Sequence, residues 1–260
     1  MMRELLLALG VTDVSPGAAA FVAVAALLAG LARGFSGFGS ALIFVPLAST
    51  MIAPAMAAPL LLVVDVIMSA GLIPGAYKLA EKREVLTMLC GTLLGLPLGT
   101  VVLVHASPVS IRWAVAVLVL VMLAVVMSGW RFRGEPRRRL TVAVGLTAGF
   151  FSGMSQTGGP PVVLYWLGSH HSPARVRANI VFYFALSMVL SVTAYLIIGL
   201  FTLPVLGLAV LVGPVYGLGV FVGTRMFGLA SVTVFRAIAY GLIAATGLFS
   251  LPLFDGILRP

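Results

Sequence analysis

The 34 residues from Ala18 to Met51 carry one charged side chain, Arg33. A straight membrane crossing needs about 20 apolar residues, so this run is too long for one helix. Near its middle stands Gly30-Leu31-Ala32-Arg33-Gly34-Phe35-Ser36-Gly37-Phe38-Gly39-Ser40. Glycine weakens a helix interior, so the run reads as two helical pieces joined by an irregular turn. A second run, Leu140–Leu167, is broken in the same way by Gly153–Pro161, within a stretch that starts at Gly145-Leu146. Irregular backbone at membrane depth is tolerated only where protein covers it or where it lines a cavity. The rest of the chain must therefore fold around these two breaks.

Composition agrees with a membrane setting. The chain is 61% hydrophobic and 9% charged, against about 25% charged in soluble domains. Apolar runs recur along its whole length, and no short alternating strands of a barrel stand out. The fold class is an all-α polytopic membrane protein. The net charge of +9 lies in short loops, which is an orientation signal and not a nucleic-acid patch. The basic cluster Arg131–Arg139 fits contact with anionic lipid. Leu5 to Leu9 is too short for a signal-peptide core. Cys90 is the single cysteine, which excludes an intrachain disulfide and a cysteine metal cluster.

The remaining apolar segments are Pro54–Tyr77, Val85–Val104, Ile111–Trp130, Ala174–Leu200, Leu203–Phe227 and Val232–Leu253. With two pieces in each broken run, they make ten. The pattern is an internal duplication: residues 1–130 form a first repeat, 131–139 a basic cytoplasmic connector and 140–260 a second repeat. Gly30-Leu31 matches Gly145-Leu146, and Phe35-Ser36-Gly37 matches Phe151-Ser152-Gly153 after a slip of one residue. At an offset of 124, Gly95, Gly99, Thr100, Arg112 and Leu118 match Gly219, Gly223, Thr224, Arg236 and Leu242. Glycines four apart recur in each set, a spacing that lets helix backbones approach closely.

The basic residues choose between two topologies. If each broken run returns to its own side as a hairpin, twelve lysines and arginines share one face and three the other. If each run crosses once, the division is ten against five, with Arg33 left out of both counts. The sharper division favours two inverted repeats, each an interrupted hairpin followed by three transmembrane helices, with both termini outside.

Inverted repeats with interrupted helices are one way to build a transporter site. Broken helices expose backbone N–H groups, and their N-terminal ends carry partial positive charge. Ser36, Ser40, Ser152, Ser155, Gln156 and Thr157 supply further donors. Gly37, Gly39, Gly158 and Gly159 leave room beside the backbone. The expectation is that the two breaks face each other around a small oxyanion. Arg33 is expected to bind that anion, since a membrane charge needs a partner. Asp65 is the carboxylate deep in an apolar run, so it is the coupling candidate. Asn179 and Tyr183, one turn apart, are expected to line the cavity. Tyr165 and Trp166 read as packing or interface anchors, and His170 and His171 as a solvated loop.

Gly34-Phe35-Ser36-Gly37 resembles the GxSG stretch of rhomboid intramembrane proteases. Such an enzyme needs a histidine on a neighbouring helix, and His105, His170 and His171 all read as loop residues. There is no GxxxxGK[ST] motif and no metal-ligand spacing. The expectation is a protein with no catalytic residues, no metal and no cofactor. Its expected partners are a small anionic substrate and membrane lipid, with no nucleic acid and with room for a homodimer.

Gly34–Gly39 followed by Leu42-Ile43-Phe44-Val45-Pro46, together with Gly158-Gly159-Pro160-Pro161-Val162-Val163, resembles the paired motifs of the TauE/SafE family of sulfite exporters. The resemblance covers essentially the whole chain. It implies secondary transport of small sulfur-containing anions, such as sulfite, sulfoacetate or related organosulfonates, at a bacterial inner membrane. Phe38 and Ser40 stand where the family's more glycine-rich form has small residues.

Overall fold

A computed structural model of the chain describes residues 2–36, 39–69, 73–129, 137–226 and 232–254. Among them all regular structure is helical. The helices are α1 (Met2–Ala8), α2 (Pro16–Ser36), α3 (Ser40–Met51), α4 (Pro54–Ser69), α5 (Ile73–Leu79) and α6 (Lys82–His105). They continue with α7 (Pro108–Met127), α8 (Arg138–Ser155), α9 (Gly159–Leu167), α10 (Pro173–Ile198), α11 (Leu203–Met226) and α12 (Val232–Phe249). Within α2, α6, α7, α10 and α11 the chain is long and apolar enough to cross a membrane, and α4 with α5 would make a sixth, bent span.

Three helices start at Ser-Pro pairs. The hydroxyls of Ser15, Ser107 and Ser172 accept the N–H groups of Ala18, Ser110 and Arg175, at 3.1, 3.1 and 3.4 Å. The proline that follows each serine sits at the first helical position, where its missing N–H costs nothing. Both broken runs divide as expected, into α2 with α3 and α8 with α9. The segment Pro54–Tyr77, expected to be continuous, divides into α4 and α5. Pro74 is the second residue of α5, where its missing N–H leaves no helical hydrogen bond unmade. His105 is not a loop residue but the last residue of α6, with Nδ1 2.9 Å from the Val101 carbonyl.

The chain forms two compact units: residues 1–64, 106–124 and 199–260 make unit 1, and residues 65–105 and 125–198 make unit 2. In unit 1, α2 and α11 pack backbone to backbone. A Cβ on Gly30 would meet Tyr216, Gly219 and Val220, and one on Gly34 would meet Val220 and Thr224. From the other side, Gly219 faces Leu27, Gly30 and Leu31, and Gly223 faces Leu31 and Phe35. The contacts climb both helices together, so the helices are parallel.

Unit 2 repeats this with α6 and α8. Gly91 faces Val142, Gly145 and Leu146, Gly95 faces Leu146 and Phe150, and Gly99 faces Phe150 and Met154. Gly145, Gly149 and Gly153 face Met88, Thr92 and Leu96 in return. Glycine spacing thus predicts close packing correctly, and the structure adds the pairing. The glycine row of each break helix packs on a row from the opposite sequence half. Each compact unit therefore takes helices from both halves of the sequence.

Within unit 2, α9 doubles back along α8. Gly158 lies against Ala148 and Ser152, near the middle of α8. Further on, the Tyr165 hydroxyl is 2.5 Å from Thr141 Oγ1, in the first turn of α8. Trp166 Nε1 donates to Glu84 Oε2 at 3.2 Å, and Glu84 lies in the first turn of α6. His171, expected in a solvated loop, is instead half-buried, with Nε2 2.9 Å from Glu84 Oε1. Trp166 and Tyr183, both fully buried, meet edge to face at 5.9 Å beside Val85, Met88, Val176 and Phe182. This core seals the end of unit 2 at which α6 and α8 begin.

Candidate functional site

The second break is the better described of the two. At its start Gln156 closes α8 with φ 59°, the one positive-φ residue besides glycine among the described residues. A side chain is disfavoured in that region, so its hydrogen bonds must hold it there. Its backbone N–H is 2.9 Å from the Ser152 carbonyl, and its Nε2 donates to the same carbonyl at 2.9 Å and to the Tyr195 hydroxyl at 3.2 Å. The Tyr195 hydroxyl in turn donates to the Gly153 carbonyl at 2.8 Å. Ser155 Oγ lies 2.6 Å from Thr157 Oγ1 and 3.3 Å from the Phe151 carbonyl, which also receives the Thr157 N–H at 3.3 Å.

These bonds satisfy carbonyls that the end of a helix leaves open. Several donors predicted for a ligand are thus engaged in closing α8. Tyr195, which sequence reasoning passed over, is central to that closure. Its removal has a measurable cost: Tyr195→Phe strands the buried Gly153 carbonyl, and loss of about 1–2 kcal/mol of stability is expected. A thermal unfolding scan in detergent micelles checks this. An unchanged midpoint would mean that another group closes the helix.

Beyond Thr157 the chain turns into α9. Gly158 has no room for a Cβ, because the Ala148 carbonyl and Ser152 Oγ occupy that space. Its glycine therefore serves the close approach of α9 to α8. Gly159 meets only Phe184, at an ordinary 3.6 Å. Pro160 and Pro161 carry no N–H, so the start of α9 offers an anion the N–H groups of Gly158 and Gly159. Ser152, Ser155 and Thr157 are all buried around this point.

The first break lies in unit 1. Arg33 is half-buried in the last turn of α2, where its charge also complements the negative end of the helix. Gly39 takes φ 94° and precedes α3, and a Cβ there would meet nothing within 4 Å. Ser40, the first residue of α3, is 3% exposed. Gly37 lies outside the described residues, and Ser36 is placed only as the last residue of α2.

Asp65, 6% exposed, opens unit 2 within α4. Asn179 and Tyr183 are fully buried on α10. Asn179 Oδ1 accepts the Glu81 N–H at 2.7 Å, which ties α10 to the start of α6. The Tyr183 hydroxyl lies 2.8 Å from Thr92 Oγ1, which also donates to the Gly145 carbonyl at 3.1 Å. Thr92 and Glu84 are further residues that sequence reasoning did not single out. A cavity of about 290 Å³ opens at the same end of unit 2, lined by Glu81, Arg83, Glu84, Thr87, Arg138 and Thr141.

Apolar helices of spanning length, paired through glycine rows, define a multi-pass helical membrane protein. A family model described as Sulfite exporter TauE/SafE matches residues 22–250. The chain belongs to that family, whose members are membrane transporters of sulfur anions. No curated protein and no solved structure matches it.

Proposed function

We propose that this chain is a secondary transporter of the bacterial inner membrane. It moves a small sulfur-containing anion, such as sulfite, sulfoacetate or a related organosulfonate or carboxylate, by alternating access coupled to protons through Asp65. The observation that carries this reading is the start of α9. It begins opposite the middle of α8, where Gly158 meets Ala148, so a helix N-terminus opens at mid-depth and can receive an anion. The first break offers a comparable start at Gly39 and Ser40, with Arg33 in the preceding turn. Ser36, Gly37, Ser152, Ser155, Gln156, Thr157, Gly158, Gly159, Asn179 and Tyr183 complete the proposed substrate-binding set.

The course of the chain in unit 2 supports inverted repeats. Helices α6, α8 and α10 all begin at the end held together by Glu81, Glu84, Thr141, Tyr165 and Asn179. Lys82, Arg83, Arg138, Arg139, Arg175 and Arg177 stand at those starts. A single crossing by the second broken run would have separated the last two of these from the others. On the positive-inside rule this end is cytoplasmic. Cysteines placed at Ser169 and Thr202 in a Cys90→Ser background test it. A membrane-impermeant thiol reagent applied outside is expected to label the Thr202 position and spare Ser169, and the reverse result would overturn the inverted arrangement.

Transport itself is tested in proteoliposomes. Labelled sulfoacetate or sulfite is expected to accumulate against its own gradient when a pH gradient is imposed. Equilibration without accumulation would identify an anion channel instead.

A further inference from the structure

Asn179, Tyr183, Ser187, Ser191 and Tyr195 follow one another at four-residue spacing along α10, and none is more than 4% exposed. That spacing puts them in one row, and at 1.5 Å per residue the row runs for about 24 Å. Buried polar groups in a membrane helix need partners. Four of them have partners: Asn179 Oδ1 holds the Glu81 N–H, Tyr183 faces Thr92, Ser187 bonds the Tyr183 hydroxyl, and Tyr195 donates to Gly153.

Two polar atoms of the row have no hydrogen-bond partner among the described residues: Asn179 Nδ2 and Ser191 Oγ. The Glu81 N–H needs an acceptor, so the orientation of the Asn179 amide is set and its NH2 group is the open end. Ser191 is more telling. A hydroxyl on a membrane helix usually bonds the carbonyl four residues earlier, as Thr193 does to Val189 at 2.9 Å. Ser191 makes no such bond, and its residue is 1% exposed. An unmet buried polar group is unfavourable, so an occupant is called for.

The depth of Ser191 suggests which occupant. Tyr183 is held through Thr92 at the level of Gly145, and Tyr195 is held at Gly153. Ser191 lies between these levels, where Gly158 meets Ala148 and Ser152. It therefore shares the depth at which α9 begins. The row contains donors and no carboxylate, and Arg175 and Arg177 stand at its cytoplasmic start.

We infer that the polar row of α10 is one wall of the substrate path through unit 2, and that Ser191 donates a hydrogen bond to an oxyanion passing at the depth of the second break. This rests on the transport reading above and adds a binding position to it. Asn179 acts as an earlier donor on the same wall.

The test uses the full chain in proteoliposomes, with Cys90→Ser as background and Ser191→Cys as the probe. Two methanethiosulfonates are compared, the anionic sulfonatoethyl and the cationic trimethylammonioethyl reagent. Sulfoacetate is the protectant, because sulfite itself cleaves thiosulfonates. Val189→Cys, on the exposed face of the same helix, is the negative control. The Ser191 position is expected to react about tenfold faster with the anionic reagent, and sulfoacetate is expected to slow that reaction. No labelling at Ser191, or equal rates for the two reagents, would overturn the inference. Fast anionic labelling without protection by sulfoacetate would uphold the path and overturn the sulfur-anion reading instead. If Ser191→Cys fails to fold, Ser187→Cys reads the same row under the same criteria.

Discussion

Gly95→Leu is expected to leave little folded protein. A Cβ at Gly95 would fall on the Leu146 carbonyl oxygen, with the Phe150 nitrogen 2.8 Å away. Both obstacles are helix backbone, which cannot swing aside as a side chain can. Overfilling an ordinary core costs about 1–3 kcal/mol, and here α6 and α8 would have to separate along a seam carrying three glycines on each side. A loss of about 3 kcal/mol or more is therefore expected, with a smaller loss in the same direction for Gly95→Ala. Gly223→Leu should do the same in unit 1, where a Cβ would meet Leu31 and Phe35. Gly17→Ala is the control. Nothing lies within 4 Å of its Cβ position, and alanine gains up to about 1 kcal/mol of helix propensity. Thermal unfolding in detergent reads all four variants. A Gly95→Leu protein with an unaltered midpoint would refute the packing of α6 on α8.

Arg33→Ala is expected to weaken anion binding strongly while the protein stays folded. Arg33 is half-buried in the last turn of α2. Its charge complements the negative end of that helix by at most about 1 kcal/mol, and a thermal unfolding scan of the variant separates a lost ligand contact from a lost structural one. A hydrogen bond from a charged donor contributes about 1.5–3 kcal/mol, which corresponds to an affinity lower by about 10- to 100-fold. Arg33→Lys should recover part of that loss by restoring the charge without the planar fork. Titration with sulfoacetate or sulfite in detergent measures the change. Equal affinity in wild type and Arg33→Ala would remove Arg33 from the site.

Much of the architecture was legible in the sequence because a bilayer imposes simple rules. Segment length, the scarcity of charge between Ala18 and Met51, and glycines four apart all follow from covering backbone and packing helices in lipid. The site was less legible. Gln156 and Ser155 read as donors for a ligand, and in the folded chain they close the end of α8. Which carbonyls the fold brings within reach of a donor is not written in a local pattern. His171 read as a solvated side chain because its partner Glu84 is remote in sequence.

By itself the sequence determined that this is a multi-pass helical membrane protein of the TauE/SafE family, with two glycine-rich breaks. Those properties depend on composition, period and local motif. Only the tertiary structure decided that α2 packs on α11 and α6 on α8, so that each compact unit mixes the two halves of the sequence. It also decided that α9 turns back to begin opposite the middle of α8. A glycine row shows that some backbone will come close, but it carries no label for its partner. The partner is chosen by the fit of whole helix faces, a long-range property that no local pattern contains.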